Sequence, residues 1–275
     1  MGKDFLSYRF MEKTMKNKNK KGISIALIVR NEERNIEECL KSVVWSDDII
    51  VVDQSSEDKT VEIAKRFTDR VFVTEPKGIC NPDRMFSIEK ARNEWVLLLE
   101  ADERVSPELA EEMLGLVNDP TRDEIGYYIP VKNHFLGKWI RGCGWYPSYI
   151  LRLVKKGFVD FPPTVHSHGI PKGKCGYLKN ALIHLSYSSL SQYLGKLDRY
   201  TTEMAKELYD QGVRVRWYNI PLFFFVKPLY FFFYKYLVKW GVGDGFYGFF
   251  ISFSSGLTIF IAYAKVWEKQ IKGDE

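Results

Sequence analysis

ISIALIV at Ile23–Val29, DIIVVD at Asp48–Asp53 and WVLLL at Trp95–Leu99 are three short runs made almost wholly of apolar residues. They are too short for buried helices and lack the alternation of a half-exposed sheet, so they predict strands covered on both faces. The stretches between them carry helical signals. Glu32 and Glu33 suit the positive N-terminal end of a helix, and Ile36, Leu40 and Val43 then repeat at helical spacing. Thr60–Phe67 reads as a short helix with Val61, Ala64 and Phe67 on one side, Val71–Val73 as a third strand, and Ile88–Arg92 as the end of a further helix. Ser106 before Pro107 and Glu108 is a helix start, a capping hydroxyl followed by proline at the first helical position. Strands alternating with helices predict βαβ units, hence an α/β chain with a mainly parallel sheet flanked by helices.

The pattern changes after Gly126. Tyr127–Val131 and Tyr149–Val154 are strand-like and flank a Gly- and Trp-rich loop, Phe135–Pro147. Leu190–Gly212 returns to helix, with Leu190, Leu194, Leu197, Thr201, Met204 and Leu208 expected on its inner face and Gly212 placed to end it. Trp217–Trp240 holds six Phe, four Tyr and two Trp, broken by Pro221 and Pro228 and dotted with Lys227, Lys235 and Lys239. After the glycine turn Gly241–Gly245 comes Phe246–Ala264, nineteen residues without a charge. That length suffices for a marginal span, but Gly248, Ser252, Ser254, Ser255 and Gly256 dilute it. Aromatics with snorkelling lysines suit a headgroup boundary, which favours an aromatic-rich helical membrane-associated hairpin over spanning helices or a soluble core. The expected organisation is a basic tail at 1–22, a catalytic domain at 23–212 and the membrane-associated region at 213–275.

The 275 residues are 45% hydrophobic and 27% charged, which excludes disordered, collagen-like and low-complexity classes. The formal net charge of +5 is unevenly spread: residues 1–22 carry seven Lys/Arg against two Asp/Glu, residues 213–275 eight against four, and the body is slightly acidic. Nucleic-acid binding needs a basic working surface, so nucleic acid is not expected as a partner. Anionic membrane lipids suit basic flanks better. The cluster Lys16, Lys18, Lys20 and Lys21 reads first as a solvated tail and second as a headgroup contact. No hydrophobic stretch near the N-terminus resembles a signal peptide. Cys39, Cys80, Cys143 and Cys175 have neither metal-ligand spacing nor the density of a disulfide scaffold, which fits a reduced, cytoplasmic setting.

In an open parallel α/β sheet, ligands bind beyond the carboxyl ends of the strands. Arg30-Asn31-Glu32 follow the first strand, Asp53 ends the second, and Glu100-Ala101-Asp102-Glu103 follow the fourth. No GxGxxG, Walker-type or GxSxG motif is present, and His134, His166, His168 and His184 form no HExxH. Zinc held by His166 and His168 is a weak reading. Two carboxylates one residue apart at a strand end can hold a divalent cation that also takes phosphate oxygens. The bland alternative for them is a solvated acidic loop. Asp53, ending a buried strand, needs a partner: a nucleobase or ribose, or else a helix cap or local backbone bond.

ISIALIVRNEERNIEECLKSV, DIIVVDQSSEDKTVEIAKRF and WVLLLEADERVSPEL, in that order, resemble glycosyltransferase family 2, which has the GT-A fold. GWYPSYILRL, VHSHG and the Ile183-His184 stretch resemble its subgroup that extends lipopolysaccharide cores or other lipid-linked glycans. The resemblance covers roughly residues 22–210. It implies a GT-A-like fold and an inverting, metal-dependent transfer from a nucleotide-sugar donor to a lipid-linked or glycan acceptor at the cytoplasmic face of the membrane, by a peripheral or monotopic protein. It further implies that Arg30, Asn31 and Glu32 line the nucleotide pocket, that Asp53 contacts base or ribose, and that Arg84 lies on the phosphate or base side. Asp102 is the implied ligand of Mg²⁺ or Mn²⁺, and Glu103 and Arg104 continue the pattern. Two departures stand out. Glu100 replaces the first Asp of the DxD motif, and Ser167 replaces the Glu expected after Val165-His166. The general base then falls to Asp160, His166, His168 or Glu103. The departures also motivate a second reading, a catalytically weak homologue acting in assembly. A pyrophosphate-releasing nucleotidyltransferase is a third.

Overall fold

The computed structural model describes residues 21–76, 81–162 and 169–273. The chain divides into two units: 1–131 with 149–184, and 132–148 with 185–275.

In the first unit, β1 (Ile23–Val29), α1 (Ile36–Lys41), β2 (Ile49–Asp53), α2 (Thr60–Ala64), β3 (Val71–Val73), α3 (Asn81–Lys90) and β4 (Trp95–Leu99) follow one another as read from the sequence. β5 (Glu103–Arg104) and α4 (Pro107–Val117) come next. Ser106 caps α4 by accepting from the Leu109 amide at 3.3 Å. β6 (Gly126–Phe135) carries the chain into the second unit, where β7 (Lys138–Trp139) pairs back on it. β8 (Ser148–Lys155), β9 (Val159–Asp160), β10 (Ile170–Pro171), β11 (Cys175–Tyr177) and β12 (Leu182–Tyr187) complete the strands. Among the described residues the main sheet runs β3-β2-β1-β4-β8-β6-β12-β5, with β7 and β11 also on β6, while β9 and β10 pair separately. β3, β2, β1 and β4 are parallel, and β8 is antiparallel to β4.

The central strands are buried on both faces. Ile23, Ile25, Leu27 and Val29 pack with Ile36, Leu40, Leu109 and Met113, while Ala26, Val52, Val96 and Leu98 pack with Ile88 on the other side. At the opposite end from the strand termini, the buried Asp48 carboxylate ties three elements together. It accepts from Ser24 Oγ at 2.5 Å and from the Arg92 amide at 2.8 Å, and pairs with Arg70. Ser24 in turn takes the Asn93 amide at 3.0 Å.

The second unit contains α5 (Leu190–Asp210), the helical segment Leu222–Val238, whose middle turns form α6 (Lys227–Phe233), a tight turn at Gly241–Asp244, and α7 (Phe246–Lys272). α5 has its expected length, and Gly212 follows it at φ 84°. Its inner stripe differs in part from the expected one. Thr201 is buried and Leu197, Met204 and Leu208 half-buried as expected, but Tyr193 and Ala205 are also buried and Leu190 and Leu194 are exposed. Tyr193 sits in an aromatic cluster with Phe135, Tyr187 and Phe250, which turns the start of the helix away from the leucine-led face. The Leu222–Val238 segment and α7 run antiparallel: Phe223 stacks on Tyr263, while Phe224 meets Phe260 and Phe232 meets Phe249 edge-on. Glycines set their approach, since a Cβ on Gly256 would lie 2.7 Å from the Pro228 carbonyl oxygen. Asp244 anchors the turn, accepting from the Gly142 amide at 2.6 Å and the Arg141 amide at 3.1 Å. Cys39, Cys143 and Cys175 are free thiols.

Removing the Asp48 carboxylate leaves a hydroxyl, an amide and a guanidinium without their acceptor. Asp48→Ala is expected to lower unfolding stability by about 2–3 kcal/mol in urea titrations. Burial alone would raise the Asp48 pKa, but hydrogen bonds from Ser24, the Arg92 amide and Arg70 outweigh it and hold the group below its ordinary 3.8. Its contribution is therefore full above about pH 4 and lost as pH falls through the depressed value. The stability gap between wild type and Asp48→Ala should narrow over that acid range.

Candidate active site

The register of the parallel strands fixes where their ends lie. Val29 is opposite Asp53, and Leu27 is opposite Leu99, so β1, β2 and β4 deliver their following residues to one edge of the sheet. The loops after β1 and β2 are laced together there. Asn31, at φ 54°, donates its amide to Ser56 Oγ and accepts the Glu57 amide on Oδ1, both at 2.8 Å. The Glu32 amide donates to Thr60 Oγ1 at 2.8 Å and the Glu33 amide to Asp58 at 3.0 Å. Asp53 is buried, and its carboxylate accepts the Ser56 amide at 2.8 Å and the Ser56 hydroxyl at 2.5 Å. The local-backbone partner weighed for it is thus present. Arg30 is exposed at the start of the first loop.

Beyond β4 the chain turns so that the Glu100 amide donates to Glu103 Oε2 at 2.8 Å. Arg104 holds the turn from outside, donating to the carbonyls of Ala101, Glu103 and Asn35 at 2.7–2.9 Å. Glu103 is 0% exposed and faces Arg152, whose Nη2 lies 2.8 Å from both Glu103 Oε1 and Glu100 Oε1. Arg84, from α3, reaches Glu100 Oε1 at 3.2 Å. The Arg152 charge, reinforced by Arg84, holds the Glu100 pKa well below the carboxylate range. Burial drives Glu103 the other way, against the pull of Arg152. Burial would deprive Arg152 of its proton, but the two carboxylates keep it firmly charged.

A third component comes from far along the chain. β12 pairs antiparallel with β5, setting His184 opposite Glu103, and His184 Nε2 lies 3.2 Å from Asp102 Oδ2. Burial disfavours the imidazolium, yet the Asp102 hydrogen bond and the surrounding carboxylates raise the His184 pKa. Glu100, Asp102 and His184 each offer one ligand atom, all within 4.8 Å of one another. Two carboxylate oxygens and an imidazole nitrogen suit a divalent first-row ion such as Mn²⁺ better than Mg²⁺, which prefers oxygen ligands and retained water. Beside them opens a cleft of about 310 Å³ whose walls include Arg84, Glu100, Arg152, Tyr128, Tyr149 and Phe161.

The structure therefore brings Glu100, Asp102, Glu103, Arg104 and Arg84 together at the end of β4, and sets Asn31, Glu32 and Asp53 in the adjoining loops. Asp160 lies on β9, exposed and paired with Lys172 at 2.9 Å. His166 and His168 lie outside the described residues. Sequence reasoning placed Arg152 and His184 in stretches that resemble the subgroup but gave neither a role in the site. Arg152 had a legible signal, a lone charge inside the apolar run Tyr149–Val154, since a buried cation demands a carboxylate. His184 had its place in the Ile183-His184 stretch, with nothing in the sequence to pair it with Asp102.

Residues 24–173 match the family described as glycosyl transferase family 2. The chain is 30% identical over 267 residues to an uncharacterized glycosyltransferase of Rickettsia typhi, covering 92% of this chain and 89% of that one. It is 26% identical over 263 residues to the lipopolysaccharide core biosynthesis glycosyltransferase LpsC of Rhizobium meliloti, covering 90% and 92%. Among solved structures it is similar to S. aureus TarS 1–349 in complex with UDP, at TM-score 0.47 and 13% identity over 92% of each chain. It is also similar to glucosyl-3-phosphoglycerate synthase from Mycobacterium tuberculosis with Mn²⁺, UDP and its product, at TM-score 0.46 and 17% identity over 76% and 85%. The α/β architecture accords with the family match over residues 24–173. The chain belongs to glycosyl transferase family 2, and its activity is glycosyl transfer.

Arg152→Met would leave Glu103 and Glu100 without their shared cation. Stability should fall by about 3–5 kcal/mol, the scale of breaking a buried pair from one side, as read by urea unfolding. A double variant that also carries Glu103→Leu should recover part of the loss, because the buried carboxylate is then removed as well.

Proposed function

We propose that this protein is an inverting glycosyltransferase that moves a sugar from a nucleotide-sugar donor to a lipid-linked or glycan acceptor at the cytoplasmic face of the membrane, with Mn²⁺ or Mg²⁺ as cofactor. The observation that carries the reading is the convergence of Glu100, Asp102 and His184 at the edge where β1, β2 and β4 end. Nucleotide binding falls to the laced loops after β1 and β2, with Arg30, Asn31 and Glu32 around the base and ribose. Asp53 shapes this wall through Ser56 and presents its carboxylate from a fixed position. Asp102 and His184, with Glu100, would hold the divalent cation, which when bound offsets the charge developing on the departing nucleoside diphosphate. Arg84 adds a positive charge beside Glu100, at the boundary between the diphosphate side and the cleft over β4 and β8.

Inversion requires an acceptor hydroxyl to attack the anomeric carbon from the face opposite the leaving group, losing its proton to a base as the bond forms. Glu103 is sealed from solvent and held by Arg152, so it acts as a positioning residue for Glu100 and Arg152. The base is then Asp160, His166 or His168. LpsC, named for lipopolysaccharide core biosynthesis, supports an acceptor of that glycan class.

Membrane attachment is assigned to the second unit. α7 is the one helix among the described residues long and apolar enough to cross a membrane. Its partner segment leaves Trp217, Phe225, Tyr230, Val238 and Trp240 more than half exposed, and Phe246 on α7 is 76% exposed. Soluble monomers rarely expose so large an apolar surface. An aromatic hairpin edged by Lys227, Lys235 and Lys239 fits the interfacial layer of a bilayer, held by apolar contact and by attraction to anionic headgroups.

Two measurements test these assignments. Asp102→Asn should lower turnover of the nucleotide sugar at least ~100-fold and weaken Mn²⁺ binding by calorimetry; full activity in the variant or in excess chelator would remove Asp102 from the metal role. Turnover with nucleoside diphosphate release also separates the transferase from a non-catalytic assembly component, and from a nucleotidyltransferase, which would release pyrophosphate. In vesicle sedimentation, the full chain should partition to anionic vesicles at low salt, with binding weakened but not abolished at high salt. A dispersed monomer that stays in the supernatant without detergent would sink the membrane assignment.

A further inference from the structure

We infer that the cleft over β4, β8 and β6 is the acceptor subsite, and that it selects a sugar bearing an anionic substituent, a carboxylate or a phosphate. The inference rests on the glycosyl-transfer reading and deepens it by naming the acceptor's chemistry. Position is the first argument. The cleft takes Leu98 and Glu100 from β4, Tyr149 to Arg152 from β8, Tyr128 from β6 and Arg84 from α3, with no residue from β1, β2 or the loops directly after them. In the sheet order β2-β1-β4-β8-β6, the nucleotide-side loops and this cleft therefore lie on opposite sides of the Glu100–Asp102 turn. A donor on one side and an acceptor on the other meet at that turn.

Wall chemistry is the second argument. Tyr128, Tyr149 and Phe161 give the cleft flat apolar surfaces, and Tyr177 fixes two of them, stacking on Tyr128 at 5.2 Å and meeting Tyr149 edge-on at 5.1 Å. Aromatic walls with a few placed polar groups are the usual make-up of a small-molecule site. At about 310 Å³ the volume suits a single sugar ring rather than an extended glycan. The charged groups lining it are two guanidiniums and one carboxylate, with Glu103 behind Arg152 as a second, so a cation that draws Glu100 away leaves one guanidinium unbalanced at the wall.

The third argument is the state of those guanidiniums. Arg152 is buried, yet its Nε has no hydrogen-bond partner among the described residues. Arg84 leans over the Phe161 ring at 5.8 Å and donates to Glu100 at 3.2 Å and to Asn81 Oδ1 at 3.3 Å. Both cations depend on the same Glu100 oxygen. If Glu100 turns to a cation beside Asp102 and His184, Arg84 and Arg152 lose that contact together, and an anion entering the cleft replaces it. A planar carboxylate or a phosphate fits guanidinium donors; a neutral hydroxyl does not offset their charge.

The test uses the full chain in detergent and ligand-observed saturation-transfer NMR, with three probes: a hexuronic acid, a hexose 6-phosphate and the parent hexose. Binding is measured with Mn²⁺ present, the state in which Glu100 is drawn from the guanidiniums, and Arg84→Gln, which leaves Glu100, Asp102 and His184 in place, excludes bridging by metal. At least one acidic probe should bind ~10-fold more tightly than the neutral hexose, and which one binds distinguishes a carboxylate-bearing from a phosphate-bearing acceptor. Tyr149→Ala, at a 44%-exposed position where truncation spares the core, should weaken the acidic probe at least ~5-fold while leaving nucleoside diphosphate affinity with Mn²⁺ within twofold. Arg84→Gln should weaken the acidic probe and leave the neutral hexose unchanged. The acidic probe should still bind when nucleoside diphosphate and Mn²⁺ are saturating. Equal binding of all three sugars, no binding of either acidic probe, or displacement of the acidic probe by the nucleoside diphosphate would each overturn the inference. Nucleoside diphosphate binding, read in the same samples, reports on the transferase reading separately.

Discussion

A guanidinium withdrawn from water on β8 is the constraint around which the candidate site is built. Arg152 is too costly to bury alone, and the chain meets that cost with two carboxylates from a single turn. Glu103 supplies the inner one and is itself sealed off, so neither partner is stable without the other. The pair forces the residues after β4 into a tight turn, and the turn determines where Glu100 and Asp102 point. Pairing of β12 with β5 then brings His184 to the same place. What looks in the sequence like a run of acids is, in the fold, one carboxylate facing inward to a buried cation and two facing the rim with an imidazole.

The parallel core was legible because its information is local. Apolar runs at Ile23–Val29, Asp48–Asp53 and Trp95–Leu99 became strands covered on both faces, and the capping signal at Ser106-Pro107 became a capped helix. The convergence of the β1, β2 and β4 ends followed from parallel topology alone. The site's second half was not legible, because it depends on pairings between residues distant in sequence. His184 is 82 residues from Asp102, and no periodicity announces an antiparallel contact of that span. The inner face of α5 was misassigned in part for a related reason. The expected stripe holds at Thr201, but towards the start of the helix the aromatic cluster around Phe135 captured Tyr193, which leaves Leu190 and Leu194 exposed. Local pattern proposes a face; the available partner decides it.

The second unit follows a different logic from the first. Where the sheet buries its apolar residues, the Leu222–Val238 segment and α7 bury mainly the seam between them, made narrow by glycine, and leave their outer rings exposed. That arrangement is unfavourable in water, and the proposed membrane attachment rests on it.

Asp244 has a consequence for the order in which the molecule can be made. Its carboxylate is the acceptor for the Arg141 and Gly142 amides, 103 and 102 residues earlier, and its carbonyl takes the Lys138 ammonium. A ribosome adding about 5–20 residues per second exposes that early loop several seconds before its partner exists. The sheet of the first unit has all its strands by Tyr187 and can consolidate during this interval. Residues 132–148 must wait for the turn and for α7 behind it. Until then Phe135 and Ile140, which end up fully covered, are open to whatever apolar surface lies nearby. Vectorial synthesis thus leaves the transferase half closing first and the aromatic half last.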